Sequence, residues 1–116
     1  SEAPPGVRVY EIAGPLFFGA ASRISDAFEA VFPSPRVVIL RFADVPLIDV
    51  SGVGTLVRFF KRCQEHNTRV LLTELNREAH GMLARMGALG LANVYEIATY
   101  PEALQLAGAM PANDAA

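Results

Sequence analysis

The sequence predicts an α/β fold in which a mixed, largely parallel sheet of about five strands is covered by about four helices. Two observations lead to this prediction. Short runs rich in β-branched residues alternate with longer segments whose apolar residues recur at helical spacing. Proline, glycine and asparagine mark most of the junctions between these segments. The expected order is β-β-α-β-α-β-α-β-α, which is typical of parallel strands joined by crossover helices.

The first third of the chain predicts two strands and one helix. Val7–Ile12 is rich in β-forming residues, and a glycine-proline break separates it from a second short strand, Pro15–Gly19. Apolar residues then recur at helical spacing over Ala20–Val31, with charged residues on the other side. The sequence FPSP ends this predicted helix, because proline cannot continue it.

The middle of the chain predicts the centre of the sheet. Arg36–Phe42 is a continuous apolar run that is too short for a core helix, which favours a strand covered on both faces. A second helix is predicted over Gly52–His66. Its expected buried stripe consists of Val53, Leu56, Val57, Phe60 and Cys63.

The last third predicts two further strand-helix pairs. Arg69–Thr73 is a strand, and Asn76 and Gly87 are the expected N-cap and C-terminal stop of the next helix. Asn93–Ile97 is the last strand, and Thr99 with Glu102 forms a capping box before the last helix. The side chains expected to face inward are Ala79, Met82, Leu83 and Met86 in the third helix, and Ala103, Leu104, Ala107 and Met110 in the last.

Composition favours one soluble globular domain. The chain has 116 residues, of which 52% are hydrophobic and 19% charged, with a net charge of −2, so nucleic acid is not an expected partner. Cys63 is the single cysteine, which excludes an internal disulfide and fits a reducing cytosol. No apolar run reaches the ~18 residues of a membrane span. The domain is expected over residues 7–110, with linker-like termini at 1–6 and 111–116.

The loop ADVPLIDVSG follows the predicted central strand and is the candidate functional region. Binding sites in open α/β sheets collect beyond the carboxyl ends of strands. Glycines and the amides of a first helical turn there favour an anion such as a phosphate. The GxxxxGK[ST] pattern of a Walker loop is absent. The candidate residues for a phosphate, nucleotide or partner site are Asp44, Asp49, Val50, Ser51, Gly52 and Gly54.

Ser51 has two interpretations. Either Ser51 or Asp49 could be the N-cap of the second helix, which satisfies backbone amides that have no helical partner. Alternatively, Ser51 carries a phosphate or another chemical role at the helix start. Spacing by itself leaves both open.

The other polar side chains support no catalytic or metal site. His66 and His80 have no ligand at metal-binding spacing, and Asp44 with Asp49 forms a pair that is common on turns. Cys63 lies on an apolar stripe and is expected to be a packed thiol. No cofactor is predicted, although a nucleotide at the loop stays open. The basic strip of Arg58, Lys61 and Arg62 is either a solvated helix face or a docking face.

Two motifs carry a family resemblance. IDVSGVGTL after an apolar strand and GPLFFGAA near the start, together with the element order, resemble the STAS domain of sulfate transporters and anti-sigma factor antagonists. The resemblance covers Val7 to about Met110. In the antagonist branch, the serine of an Asp-x-Ser-Gly motif is the kinase substrate, and Ser51 occupies that position. Val50 departs from the hydroxyl residue that antagonists often carry there, and GPLFFGAA is more similar to the transporter branch.

The resemblance implies a non-catalytic regulatory domain of a SulP-type anion transporter for sulfate, bicarbonate or dicarboxylate. Such a domain lies on the cytoplasmic side of the plasma membrane as part of a longer chain. Its expected partners are the membrane domain of that chain, a cytoplasmic regulatory protein and a second copy of itself. The alternative is a free-standing anti-sigma factor antagonist controlled by phosphorylation of Ser51. A small nucleotide-using enzyme is a third hypothesis, but it lacks a placed base and a phosphate-gripping lysine.

Overall fold

A computed structural model describes residues 3–15, 26, 29–30 and 35–111. Its sheet has four strands in the spatial order β1-β2-β3-β4, and every pairing is parallel. The strands are β1 (Val7–Ala13), β2 (Val37–Asp44), β3 (Arg69–Thr73) and β4 (Val94–Ile97). The helices are α1 (Val50–Glu65), α2 (Arg77–Arg85) and α3 (Tyr100–Ala109), and a short 3-10 helix spans Ala88–Gly90.

The predicted α/β class and strand-helix alternation are confirmed. Pro15 lies outside any strand. The rest of the strand predicted at Pro15–Gly19, and most of the helix predicted at Ala20–Val31, lie outside the described residues. The described strands are all parallel, and the predicted boundaries were off by one or two residues at several ends.

Alternating side chains of the central strands fill two separate cores. Val38, Leu40 and Phe42 of β2 face α1 and α2, together with Val70 and Leu72 of β3. The intervening residues face α3 instead, since successive side chains of a strand point to opposite faces. They are Val37 and Ile39 of β2 and Leu71 of β3, packed with Ala103 and Ala107 of α3. The prediction that Arg36–Phe42 forms a strand covered on both faces is confirmed.

Helix α1 buries four of the five residues of its predicted stripe, whereas the fifth, Val57, is only partly buried; Thr55 is buried in addition. Val53, Leu56, Phe60 and Cys63 are all fully buried. Phe59 is buried as well, with 4% of its surface exposed, and its ring centroid lies 6.3 Å from that of Phe60. The apolar face of α1 is therefore wider than the stripe predicted from spacing.

Helix α2 begins and ends at the predicted residues. The Asn76 side chain accepts a hydrogen bond from the Ala79 amide at 2.7 Å, and Gly87 adopts a left-handed conformation with φ of 79°. The prediction that Met86 faces inward was wrong, because 40% of its surface is exposed. Met86 is the C-cap, and the turn at Gly87 brings Ala88 into the core in its place.

Helix α3 depends on a donor from a distant part of the chain. Its N-cap is Thr99, whose hydroxyl accepts the Glu102 amide at 3.3 Å, as predicted. Its last turn has no basic residue. Arg36, next to β2, donates to the carbonyl oxygens of Ala107 at 3.2 Å and Met110 at 3.1 Å, and also to that of Pro5. One guanidinium thus joins the end of α3 to the segment before β1.

Candidate functional site

The loop between β2 and α1 is anchored by two buried side chains. Only 2% of the surface of Val45 and 8% of that of Ile48 are exposed, whereas Leu47 between them is 43% exposed. The Val45 amide also donates to the Phe42 carbonyl at 3.0 Å. The loop is therefore held against the core while presenting Leu47 to the surroundings.

Asp49 is the N-cap of α1. Its backbone is extended, and Oδ1 accepts a hydrogen bond from the Gly52 amide at 2.8 Å. The Val53 amide donates to the Asp49 carbonyl at 3.0 Å, which is the first helical hydrogen bond. Of the two caps that the sequence left open, the structure selects Asp49, and the interpretation of Ser51 as the cap was wrong.

Ser51 lies inside the first turn of α1. It is half-buried, and its carbonyl oxygen accepts a hydrogen bond from the Thr55 hydroxyl at 3.2 Å. Within the described part of the chain, the Ser51 hydroxyl makes no hydrogen bond. Val50 beside it is 62% exposed. Capping of the helix therefore does not use the Ser51 hydroxyl.

The predicted anion site already contains a carboxylate. Asp49 Oδ1 accepts the hydrogen bond of the Gly52 amide, which is one of the donors that a bound phosphate would need. Gly52 is also buried, whereas Gly54 is half-buried. A phosphate at this helix start would have to share the first turn with the charge of Asp49, although the helix dipole favours it. A phosphate or nucleotide here stays a prediction.

The predicted basic strip lies on the exposed side of α1. Arg58, Lys61 and Arg62 are all exposed. Arg58 donates to the Thr55 hydroxyl at 3.2 Å, and Arg62 forms an ion pair with Glu29 at 3.3 Å. These residues share the walls of a cavity of about 350 Å³ with Thr55, Phe59 and Glu65. The basic strip is a solvent-facing surface, and its docking role stays a prediction.

The remaining candidates do not form a chemical centre. Asp44 is exposed at the end of β2, and its carbonyl oxygen accepts the Gly14 amide at 2.8 Å. In the described ranges, no three acidic, histidine or cysteine side chains are grouped closely enough to hold a metal ion. Burial raises the pKa of the Cys63 thiol to about 12, so it is a packed, protonated side chain as predicted.

An ion-pair cluster that sequence reasoning missed lies at the carboxyl edge of the sheet. Arg41 of β2 donates to both carboxylate oxygens of Glu74, each at 2.8 Å. Its guanidinium lies 4.0 Å from the ring centroid of Tyr100 and 3.7 Å from Glu11 Oε2. The Thr73 hydroxyl donates to Glu74 at 2.7 Å. Because these residues are far apart in sequence, no local pattern could have identified the cluster.

Glu74 has a backbone conformation that residues other than glycine rarely adopt. Its φ is 67°, in the left-handed region, which is unfavourable for a residue with a Cβ. The hydrogen bond from Arg41 lowers the pKa of its carboxyl group, with a further contribution from the Thr73 hydroxyl. The same hydrogen bond raises the pKa of Arg41. This charged pair joins β2 to the residue that follows β3.

Asp49→Ala is expected to lower the free energy of unfolding by about 1 kcal/mol, because the Gly52 amide loses its partner. Asn is as good an N-cap as Asp, so Asp49→Asn should remain within a few tenths of a kcal/mol of the original protein. Urea denaturation followed by circular dichroism measures both. Equal loss in the two variants would show that the charge of Asp49, and not its capping hydrogen bond, stabilises the helix start.

Glu74→Gln is expected to reduce stability by roughly 1 kcal/mol at pH 7, since the pair with Arg41 is bidentate but partly exposed. A carboxyl group whose pKa is lowered in the folded state stabilises the protein above its unfolded pKa of about 4.3. That contribution is lost as the pH falls through the lower, folded value. The stability difference between Glu74→Gln and the original protein should therefore shrink below about pH 4. A difference that is constant from pH 7 to pH 3 would contradict this account.

Comparison with known proteins identifies the fold family. A family model described as the STAS domain matches residues 1–98. The chain belongs to the STAS domain family. A relative in Bacillus subtilis (strain 168), described as the putative sulfate transporter YvdB, is 31% identical over 84 residues. That match covers 72% of this STAS domain and 16% of the relative, so the chain spans a small part of that protein's length.

Two solved structures are also similar to this STAS domain. A sulfate transporter family protein from Wolinella succinogenes is 36% identical, with a TM-score of 0.78 and coverage of 92% of this chain and 88% of that one. The SulP transporter STAS domain from Vibrio cholerae is 29% identical, with a TM-score of 0.74 and coverage of 92% and 84%. Anti-sigma factor antagonists share the fold at 17–18% identity. In the described segments of this STAS domain, no helix has the length and hydropathy needed to cross a bilayer.

Proposed function

We propose that this STAS domain is the regulatory, non-catalytic module of a SulP-type anion transporter of the sulfate, bicarbonate or dicarboxylate class. It would lie on the cytoplasmic side of the membrane and act on the membrane domain of its own chain. The observation that carries the proposal is the 36% identity to a sulfate transporter family protein over 92% of this chain. The match to 16% of a sulfate transporter relative agrees with a module within a longer protein.

The start of α1 is the surface through which we propose that transport is modulated. Val50 projects into solvent there, and the Ser51 hydroxyl is left unused by capping. A contact with a regulatory protein, or a nucleotide, would act on this turn. The proposal requires no chemistry within the domain.

Fractionation of native cells, followed by immunoblotting with an antibody against this domain, tests the proposal. The expected result is a membrane-bound band several times heavier than the 12.5 kDa of this chain. A soluble band near 12.5 kDa would overturn it. Uptake of labelled sulfate, bicarbonate and dicarboxylate by the full-length protein in proteoliposomes would then identify the anion, and Val50→Asp should change the rate of uptake if the helix start is regulatory.

A free-standing anti-sigma factor antagonist is the second candidate, and the position of Ser51 favours it. An unused hydroxyl in the first turn of a helix is a suitable phosphate acceptor, because the dipole there stabilises negative charge. Incubation with a kinase-type anti-sigma factor and ATP should then add one phosphate to the domain and none to Ser51→Ala. No mass increase in either protein would exclude this candidate.

A further inference from the structure

A second surface lies between the β2-α1 loop and helix α2. It is a groove of about 270 Å³. Leu47 and Ile48 form the wall on the loop side, and Met82 and Gly81 contribute from the helix. Leu47 is 43% exposed, and Ile48 is buried beneath it. One wall of the groove therefore presents a large hydrophobic side chain to solvent, as protein-binding surfaces do.

Asn76 holds the two walls of the groove together. Its Oδ1 caps α2 by accepting the Ala79 amide at 2.7 Å. Its Nδ2 donates to the carbonyl oxygens of Val45 at 3.4 Å and Pro46 at 3.1 Å in the opposite loop. One side chain thus fixes the helix start against the loop. The groove is formed before any partner arrives, which lowers the entropic cost of binding.

Two arginines of α2 line the groove. Arg77 and Arg85 line it from the first and last turns of α2, and neither has an ion pair or hydrogen bond with its side chain in the described part of the chain. Eight residues of helix separate their Cα atoms by about 12 Å along its axis. Glu78 also lines the groove, so two arginines and one glutamate leave it with a net charge of +1.

Gly81 lies between the arginines in the interior of α2, where glycine is unfavourable relative to alanine. A Cβ at this position would lie 3.1 Å from Nη1 of Arg85, whose side chain folds back over the glycine. The absence of a side chain at Gly81 thus leaves room for the Arg85 guanidinium. This gives a physical reason for a residue that helix stability does not favour.

We infer that this groove docks an acidic amphipathic helix from a partner protein. A helix laid along α2 would place apolar residues on Leu47, Ile48 and Met82. It would bring acidic residues opposite the exposed Arg77 and Arg85. The inference rests on the proposed interaction role of the domain but assigns it to a surface distinct from the start of α1.

The test uses a stapled helical peptide of about 15 residues, roughly 22 Å long, with leucines on one face and glutamates beside them. Stapling removes the ordering cost that a short free helix would incur. Fluorescence anisotropy with the whole chain should give a Kd in the range of about 10–100 µM. The same peptide with lysine in place of glutamate should bind at least about tenfold more weakly. Equal affinity for the two peptides would overturn the inference.

Charge-reversal variants locate the site. Arg77→Glu and Arg85→Glu should each weaken binding at least about tenfold, and Leu47→Ser should weaken it by a similar factor. Arg85→Gln removes the charge with less effect on the end of the helix, and should give an intermediate loss. Gly81→Leu should abolish binding by filling the groove. Thermal denaturation confirms that each variant is folded.

Arg58→Glu and Lys61→Glu are the matched controls, because they reverse charges on the basic strip of α1. They should leave binding unchanged within about twofold. If they weaken binding as much as Arg77→Glu, the attraction is general or belongs to α1, and the inference fails. If the domain associates with itself as its concentration rises, and Leu47→Ser abolishes that association, the partner is a second copy and not the proposed helix. If anionic phospholipid vesicles bind the domain and compete with the peptide, the partner is a membrane surface. Because the assay uses the domain by itself, a negative result leaves the proposed transporter role standing.

Discussion

Replacing Phe60 with alanine is expected to lower the free energy of unfolding by about 3–5 kcal/mol. The Phe60 ring is fully buried between α1 and the sheet, within the core that contains Phe42 and Leu72. Removing the ring loses the free energy gained by transferring it from water to the core. It also leaves a cavity, because the surrounding structure relaxes only partly. A loss of this size is a large fraction of the 5–15 kcal/mol that typically stabilises a domain. Urea unfolding monitored by circular dichroism measures it.

Lys61→Ala is the matched control for the change at Phe60. Lys61 is the next residue of α1 and is exposed, so this substitution should change stability by less than about 0.5 kcal/mol. A loss below about 1.5 kcal/mol in Phe60→Ala would contradict a close-packed site for the ring. Similar losses in both variants would indicate that disruption of the helix, and not the cavity, dominates.

Asn93→Ala is expected to be the second most damaging change, at about 2–3 kcal/mol. Asn93 is 8% exposed and lies at the start of β4. Its Nδ2 donates to the carbonyl oxygens of Phe60 at 3.1 Å and Thr68 at 3.0 Å. One amide therefore joins α1, the segment before β3 and β4. Alanine would leave the buried carbonyl groups without this donor.

Asn93→Asp distinguishes the contribution of the Nδ2 donor to stability from that of the side-chain shape. Aspartate keeps the size but loses the NH₂ group at neutral pH, so it should be at least as destabilising as alanine. Oδ1 of Asn93 has no hydrogen-bond partner among the described residues, so the acceptor contributes little to this expectation. If aspartate were tolerated, the two Nδ2 hydrogen bonds would not be the source of the effect. The exposed neighbour Ala92 supplies a control, since Ala92→Ser should have an effect below about 0.5 kcal/mol.

Local patterns were sufficient to predict most elements of the fold. The continuous apolar run at Arg36–Phe42 predicted a strand covered on both faces, and the structure confirms it in β2. Asn76, Gly87 and Thr99 were predicted as helix boundaries, because capping depends on residues within one turn. Such signals are local, so a single sequence contains them.

Predictions failed where the exposure of a side chain, or its hydrogen-bond partner, depends on the path of the backbone outside its own turn. Met86 fits the apolar spacing of α2 but is solvent-exposed, because the helix ends at Arg85 and the chain turns away. Ser51 and Asp49 were equally good caps by residue type. The helix begins at Val50, so Asp49 has the extended backbone of a cap and its carboxylate accepts the Gly52 amide, whereas Ser51 lies inside the first turn.

The sequence by itself determined the α/β class, the buried strand β2, the amphipathic faces of the helices and, through IDVSGVGTL and GPLFFGAA, the family. Tertiary structure decided which polar groups meet: Arg41 with Glu74, Asn93 with Phe60, and Asn76 with Pro46, each pair separated by at least 30 positions. It also created the groove beside α2, whose walls come from separate segments. Periodicity and capping act within a few residues, whereas these contacts depend on how the sheet orders its strands, and no local pattern encodes that order.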